Sequence, residues 1–194
     1  HLPNRSHFLE QLGRVVAAAK RNDKARFAVM FLDFDRFKMV NDSLGHGAGD
    51  ELLVTVARRL QSCLRPTDLV ARLGGDEFAI LIENFRSDSE IVDLAERLQR
   101  VLRDPIRLCG SDVTTSASIG ITTSAFLYDA PEQVMRDADI AMYKAKEQGK
   151  ARYALFDSAL HAEISSQLWM EGELRRAVDN GQIAVDFQPI FDLR

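Results

Sequence analysis

A nearly uninterrupted apolar run constrains the fold of this chain more than any other feature. Residues 26–34 read RFAVMFLDF, which is typical of a β-strand covered on both faces. A strand buried in this way lies inside a sheet that has helices packed around it. We therefore predict a layered protein of the α/β (α+β) class. The run ends on two aspartates, Asp33 and Asp35.

Helical patterns and short strands surround this run as far as residue 155. Asn4 or Ser6 is available to cap the first helix, and residues 87–90 form a Ser-x-x-Glu capping box before a later one. The glycines at 45, 47 and 49 are predicted to separate two helical segments. In chain order we predict helices over 6–21, 36–46, 52–64, 91–102 and 131–149, and strands over 26–34, 68–73, 78–83, 106–109 and 113–122.

Composition excludes several classes of protein. The chain is 46% hydrophobic and 28% charged, which is typical of a globular protein and excludes a disordered one. Its 25 basic and 29 acidic residues give a net charge of −4, so we expect no nucleic-acid partner. No apolar run reaches the roughly 18 residues of a membrane span, so we expect no membrane contact.

The two cysteines and the first residue bear on cellular context. Cys63 and Cys109 match no metal or redox spacing, so we expect free thiols and a cytoplasmic location. The chain begins with His1 rather than Met, which suggests a fragment of a longer protein whose missing upstream region could be a membrane anchor.

Two acidic clusters lie beside predicted strands. Asp33 and Asp35 end the first long strand, while Asp76 and Glu77 lie at the tip of a predicted hairpin. If the two strands are neighbours, these carboxylates converge into an oxygen-rich site that suits Mg²⁺ or Mn²⁺ together with a nucleotide. Either pair alone is equally compatible with a solvated turn.

The string GGDEF at residues 74–78 favours the metal site over the solvated turn. It resembles the signature of the GGDEF family, the diguanylate cyclases. Several other segments also resemble that family, and the resemblance covers residues 1–155. These segments are LPNR, FLDFDRFKMVND, GHGAGDELL, SASIGIT and DADIAMYKAKEQGK.

The resemblance implies both a fold and a reaction. The implied fold is a nucleotidyl-cyclase or palm-like domain, with a central, mainly antiparallel five-stranded sheet flanked by helices. The implied activity is condensation of two GTP into cyclic di-GMP and two pyrophosphates. Each subunit of a homodimer would hold one GTP, whose 3′-hydroxyl attacks the α-phosphate of the opposite nucleotide.

The resemblance also assigns metal-binding residues. Asp33 and Asp76 would hold Mg²⁺ or Mn²⁺, two ions per GTP, together with the backbone carbonyl of Phe34 and the side chain of Glu77. These ions would neutralise the triphosphate and activate the attacking hydroxyl. Asp76 is the candidate to assist deprotonation, so Asp76 and Glu77 are the predicted catalytic residues.

Substrate-binding residues follow from the same resemblance. Asn41 and Asp50 would read the guanine edge with an amide and a carboxylate. Lys38, Lys146 and Lys150 would contact phosphates, although a lysine considered alone is more often a solvated helix residue. Gly74 and Gly75 lack Cβ atoms and would let the hairpin approach the nucleotide, so replacing either is expected to block binding.

One segment departs from the family pattern. The family usually has Gly-Arg-Asn after the last helix of the domain, whereas this chain has Gly149-Lys150-Ala151. Lys150 offers a point charge but not the planar fork of arginine, so we expect weaker GTP binding. Arg152 is a possible substitute.

A second family site is expected at residues 65–68, which read Arg-Pro-Thr-Asp. They match the RxxD product-inhibition site, in which Arg65 would contact cyclic di-GMP and Asp68 would accept from a guanine edge. Without the family context, an arginine and an aspartate three residues apart form a routine surface pair.

The residues after 155 differ in character. We predict that 156–194 form a connecting helix and the first strand of a truncated EAL domain, since residues 173–177 and 186–190 resemble an EAL opening. The EAL motif itself is absent, so no phosphodiesterase activity is expected from this chain. Two alternatives to a cyclase stay open, namely a non-catalytic GTP-binding module that regulates the EAL domain and a dimerisation or scaffold module.

Overall fold

The computed structural model describes residues 2–22 and 24–182. The apolar run 26–34 becomes the central strand, as predicted. In chain order the elements are α1 (Arg5–Arg21), β1 (Phe27–Asp35), α2 (Phe37–Leu44), α3 (His46–Ser62), β2 (Leu69–Gly74), β3 (Glu77–Glu83), α4 (Asp88–Arg103), β4 (Ile106–Leu108), β5 (Ser111–Val113), β6 (Ser116–Thr123), α5 (Pro131–Glu147), β7 (Tyr153–Leu155) and α6 (Ser158–Asp179).

A five-stranded sheet forms the centre of the domain, in the order β2-β3-β1-β6-β7. The first four strands pair antiparallel with their neighbours, and only β7 runs parallel to β6. This confirms the mainly antiparallel, helix-flanked fold that the sequence predicted. The three-residue β7 was not predicted, because so short a segment carries no periodic pattern.

Strand β1 is covered on both faces of the sheet. Its alternate side chains Met30 and Leu32 join one core with α3 and α4, while Val29 and Phe31 join a second core with α1 and α5. The two cores explain why the strand is apolar almost throughout. Packing on both faces also fixes the position of the carboxyl end of β1, which carries the acidic residues.

The glycine-rich segment differs from its prediction. Only Gly45, with φ of 84°, separates α2 from α3, and both Gly47 and Gly49 lie inside α3. A Cβ at Gly49 would lie 1.9 Å from Oδ1 of Asn41 on α2. Gly49 therefore serves close packing between the two helices, which the sequence pattern alone did not distinguish from a helix break.

Of the other local predictions, the cap of α1 is confirmed, whereas the capping box at α4 and the undivided strand over 113–122 are not. Asn4 caps α1 as expected, because its Oδ1 accepts from the backbone N–H of His7 at 3.0 Å. The capping box at α4 was wrong, since Glu90 accepts from the N–H of Arg86 and not from that of Ser87. The strand predicted over 113–122 is divided, because residue 113 ends the β4–β5 hairpin before β6 begins.

The chain divides into two compact units, residues 1–156 and 157–194. In the second unit α6 ends before Gly181, as predicted, and the expected strand after it lies outside the described residues. Within the described ranges, no helix combines the length and the apolar character needed to cross a bilayer. Cys63 and Cys109 are both free thiols.

Candidate active site

The predicted acidic clusters meet at one end of the sheet. Strands β1 and β3 are neighbours, and their register ends with Asp33 opposite Glu77. Directly paired residues of antiparallel strands project to the same face, and here that face carries α1 and α5. Asp76 precedes Glu77 in the hairpin turn. The prediction that the carboxylates converge is confirmed for Asp33, Asp76 and Glu77 and is wrong for Asp35, which bonds elsewhere.

The side chain of Arg72 stabilises the tip of the hairpin. Nε and Nη2 of Arg72 donate to the carbonyl of Gly75 at 2.9 and 2.8 Å. Gly75 has φ of 50°, which favours glycine. A Cβ at Gly74 or Gly75 would meet nothing within 4 Å, so the space beside the tip is open. Two hydrogen bonds therefore hold the turn at a position where a ligand can approach its backbone.

Aromatic packing anchors the other side of this corner. The Phe34 and Phe78 rings are both buried and meet edge to face, with centroids 5.5 Å apart. Phe34 is beyond the end of the β1–β3 register and pairs with β6 alone. The backbone of Phe34 therefore lies beside the hairpin tip at the end of the β1–β3 ladder.

Lys146 brings a positive charge to the carboxylates. Its Nζ lies 2.7 Å from Oδ1 of Asp33, and both side chains are mostly buried, with 28% and 18% of their surfaces exposed. The lysine comes from the last turn of α5, which packs across the same face of the sheet. One predicted phosphate contact is therefore placed next to the predicted metal ligands.

Burial and electrostatic repulsion raise the pKa values of two carboxylates of the site. Partial burial raises the pKa of Asp76, and the charge of Asp33 raises it further, while Lys146 and Arg72 oppose the shift. The pKa of Glu77 is raised by burial and then by Asp33. Burial is the larger cause for both groups, and repulsion between the carboxylates adds to it, which favours a cationic ligand.

The sequence reading missed one carboxylate of this cluster. Asp139 contributes to raising the pKa of Glu77, and its own pKa is raised by partial burial and by Asp33. It lies seven residues before Lys146 on α5, which is two helical turns along one face. Helical periodicity could have found it. Arg5, at the start of α1, opposes the upward shift for both Glu77 and Asp139.

Asp35 has a different role from Asp33, although only one residue separates them. Its buried carboxylate accepts from Ser116 Oγ at 2.6 Å, Ser118 Oγ at 2.9 Å and the backbone N–H of Ala151 at 3.1 Å. These bonds tie the end of β1 to β6 and to the turn after α5. Asp35 therefore supports the site and is not a free ligand in it.

The predicted guanine-reading residues lie beside each other. The Asn41 carboxamide contacts α3 at Gly49, the residue before Asp50. Asp50 lines an open cleft of about 560 Å³ that Arg72 and Phe78 also line. An amide and a carboxylate thus lie near a cleft bounded by the strands of the hairpin.

The remaining predicted phosphate contacts are exposed. Lys38 lies on the outer surface of α2, and Lys150 lies in the turn after α5. Across residues 2–22 and 24–182, neither side chain forms an ion pair. Arg152 folds back on its own turn, where Nε donates to the Lys150 carbonyl at 3.3 Å. Arg152 also lines a cavity together with residues of α4.

The predicted product site is joined by backbone rather than by side chains. Asp68 Oδ2 accepts from the backbone N–H of Arg65 at 2.9 Å, and Oδ1 is buried with no partner among the residues that the structure describes. The Arg65 guanidinium instead forms an ion pair with Glu90 of α4. Arg65 and Asp68 also line a shallow cleft of about 390 Å³. Sequence reasoning missed Glu90 because it is 25 residues from Arg65.

Comparison with known proteins identifies the family. A family model described as "Diguanylate cyclase, GGDEF domain" matches residues 1–152. The chain belongs to the GGDEF family. The isolated GGDEF domain of TpbB from Pseudomonas aeruginosa superposes with a TM-score of 0.79 at 42% identity, covering 84% of this chain and 95% of that one.

Two longer relatives match almost the whole chain. The bifunctional diguanylate cyclase/cyclic di-GMP phosphodiesterase MucR of Pseudomonas aeruginosa is 41% identical over 97% of this chain and 27% of MucR. The cyclic di-GMP phosphodiesterase PdeR of Escherichia coli is 37% identical over 97% of this chain and 28% of PdeR. This chain therefore spans between a quarter and a third of each of these relatives.

Proposed function

We propose that this GGDEF domain is a diguanylate cyclase, which condenses two GTP into cyclic di-GMP and two pyrophosphates in a homodimer. The observation that carries the proposal is the convergence of Asp33, Asp76 and Glu77 beside Lys146 at the end of the sheet. The open space at the hairpin tip supports it, since a triphosphate needs to approach the backbone there.

The donor atoms at this corner fit a hard divalent cation. Among residues 2–22 and 24–182, no three Asp, Glu, His or Cys side chains are arranged to enclose a metal ion by themselves. Carboxylates, a backbone carbonyl and substrate phosphates are nevertheless the usual ligands of Mg²⁺, which keeps part of its water shell. Asp33, Asp76, Glu77 and the Phe34 carbonyl would hold two Mg²⁺ or Mn²⁺ ions per GTP. When bound, these ions neutralise phosphate charge and lower the pKa of the attacking hydroxyl.

The protein's own groups contribute binding and proton transfer. Lys146 would exchange Asp33 for a phosphate oxygen when nucleotide binds, and its contact with Asp33 supports this role. Asp76, in the hairpin turn beside Asp33, is the proposed acceptor of the 3′-hydroxyl proton. Lys38 and Lys150 would add phosphate contacts from the exposed surfaces of α2 and the turn after α5.

Base selection is proposed for Asn41 and Asp50. A carboxylate accepts from N1–H and N2–H of guanine, and the amide donates to O6, which adenine cannot reciprocate. Their placement beside the cleft at α3 supports this assignment. ATP is therefore expected to bind much more weakly than GTP.

The experiment is product analysis after incubation with GTP and Mg²⁺. Cyclic di-GMP and pyrophosphate are expected in a ratio of about one to two from the stoichiometry, and Asp76→Ala is expected to abolish both. Asp93→Ala, at an exposed aspartate of α4, is the matched control and should retain activity. Equal product from Asp76→Ala and wild type would contradict the assignment.

The second candidate function is a non-catalytic GTP-binding module that regulates a downstream EAL domain. Lys150-Ala151 in place of the family's Arg-Asn favours it, as does the match to PdeR, a protein named as a phosphodiesterase. GTP binding without pyrophosphate release, including at high protein concentration, would support this role. We assign residues 156–194 to the start of an EAL domain on their sequence resemblance alone.

The cellular location and the partners of the domain follow from the proposed chemistry. A protein that uses GTP and keeps Cys63 and Cys109 as free thiols suits a reducing compartment that is rich in nucleotides. We therefore propose a cytoplasmic location for this domain. Its proposed partners are GTP, cyclic di-GMP, a second copy of the domain and the EAL domain.

A further inference from the structure

The Arg65–Glu90 ion pair lies at the proposed product site but belongs to no family motif in the sequence. Glu90 is in the first turn of α4, and its Oε1 contacts Nη2 of Arg65. Its Oε2 accepts from the backbone N–H of Arg86 at 2.9 Å. Both carboxylate oxygens are therefore engaged, and the glutamate is held by its own backbone surroundings as well as by the arginine.

The two partners differ in their freedom to move. The Arg65 side chain is 57% exposed, whereas the Glu90 side chain is 24% exposed. The bond from Arg86, followed by the contact with Arg65, lowers the pKa of Glu90, so the carboxylate is charged at neutral pH. Arg65 is thus the more exposed member of the pair, and Glu90 is the anion that a second contact, with Arg86, also holds.

Asp68 stays in place whichever way Arg65 points. Its Oδ2 is bonded to the backbone of Arg65 and not to the guanidinium. The site therefore consists of the Asp68 carboxylate, the cleft beside it, and Arg65, whose charge Glu90 already neutralises.

We propose that Glu90 is an internal competitor of cyclic di-GMP for the Arg65 guanidinium. The inference rests on the proposed product site at Arg65 and Asp68. A phosphodiester or a guanine edge needs the same N–H donors that Glu90 occupies, so product binds only to the fraction of molecules in which Arg65 is released. Glu90 therefore sets the concentration of product at which feedback inhibition begins.

The test is calorimetric titration of the protein with cyclic di-GMP. Glu90→Gln keeps an oxygen for the Arg86 N–H but removes the charge that holds Arg65. We expect product to bind about two- to fivefold more tightly to this variant, as expected for the release of an exposed ion pair. Tighter binding is informative because damage to the fold can only weaken it.

The matched control is Asp88→Asn. Asp88 also lies in the first turn of α4 and pairs with Arg26 at 2.6 Å, so this change removes the same charge from the same turn. We expect its affinity for product to equal that of wild type. If Asp88→Asn tightens binding as much as Glu90→Gln, long-range charge accounts for the effect and the proposal is wrong.

A third variant tests the product site separately from the role of Glu90. Arg65→Ala is expected to weaken product binding at least tenfold. If it does not, the product site itself is misassigned. If Arg65→Ala weakens binding but Glu90→Gln leaves it unchanged or weakens it, the product site stands and the role of Glu90 as a competitor is refuted.

Discussion

At the scale of single residues, the carboxylates of the site repel each other. Burial and the charge of Asp33 raise the pKa of Asp76 above that of the unfolded chain. The folded state then binds this proton more tightly, so the contribution of Asp76 to stability is largest below its ordinary pKa and is lost as pH rises through the raised value. Ionised Asp76 therefore costs stability at neutral pH.

We accordingly predict that Asp76→Asn raises the free energy of unfolding at pH 7 by about 0.5–1 kcal/mol while it abolishes activity. At pH 4 the gain should be smaller, because more of Asp76 is protonated in the folded state than at pH 7. Urea unfolding at both pH values measures the difference. Asp93→Asn on α4 should change stability little, and a loss of stability in Asp76→Asn at pH 7 would refute the repulsion.

The departure from the family pattern has a backbone consequence at Ala151. This residue has φ of 52°, in the left-handed region that asparagine tolerates better than alanine. We predict that Ala151→Asn stabilises the protein by about 0.5–1 kcal/mol. The same change at exposed Ala17 in α1 should instead destabilise it by about 0.7 kcal/mol, through loss of helix propensity. Thermal unfolding of both variants would show opposite signs, and equal signs would contradict the argument.

The site residues that a motif names were predictable from the sequence, and those defined by contact were not. Asp33, Asp76 and Glu77 were expected to converge, and they do. Glu90 was read as a helix cap, because no local pattern reveals a partner 25 residues away. Asp139 was missed, although its spacing from Lys146 places both on one face of α5.

At the scale of elements, strand β1 carries two aspartates with separate duties. Asp35 accepts three hydrogen bonds that hold β1 to β6 and to the turn after α5. Asp33 contacts Lys146 in the site. We predict that Asp35→Ala lowers the free energy of unfolding by about 2–4 kcal/mol, because it leaves buried donors unpaired. Asp33→Ala should remove activity and cost less stability than Asp35→Ala, because relief of the repulsion of Asp76 and Glu77 offsets part of the lost contact with Lys146. Equal destabilisation of the two variants in urea would contradict this division.

Close packing of α5 on β6 depends on one glycine. A Cβ at Gly120 would lie 1.9 Å from the Ala138 carbonyl oxygen and 2.2 Å from the Met142 nitrogen. We predict that Gly120→Ala costs about 2–3 kcal/mol of stability and weakens GTP binding, since α5 also carries Lys146. Gly47→Ala in α3 is the control. A Cβ there meets nothing within 4 Å, so it should stabilise by up to about 1 kcal/mol. Similar effects of the two changes on unfolding would refute the close approach.

Elements with a strong hydrophobic period were predictable, and short ones were not. The apolar run of β1 and the amphipathic faces of α1 and α5 lie where the sequence placed them. The three-residue β7 and the division between β5 and β6 arise from pairing with distant strands. A residue-by-residue pattern does not encode such pairing.

At the scale of the whole molecule, the fold alone does not decide activity. The GGDEF match covers residues 1–152, and its longer relatives include one named as bifunctional and one named as a phosphodiesterase. Function therefore depends on whether the site at the end of β1 completes a reaction between two subunits. The proposed reaction forms a symmetric product and would need two equivalent half-sites, one on each subunit.

The most direct test is the initial rate of cyclic di-GMP formation across a wide range of protein concentrations, for wild type and for Asp76→Ala. The account predicts that the wild-type rate rises more steeply than the first power of concentration while dimers are scarce, and that the variant forms no product. A strictly linear rise from a sample shown to be monomeric, or product formation by Asp76→Ala, would contradict it.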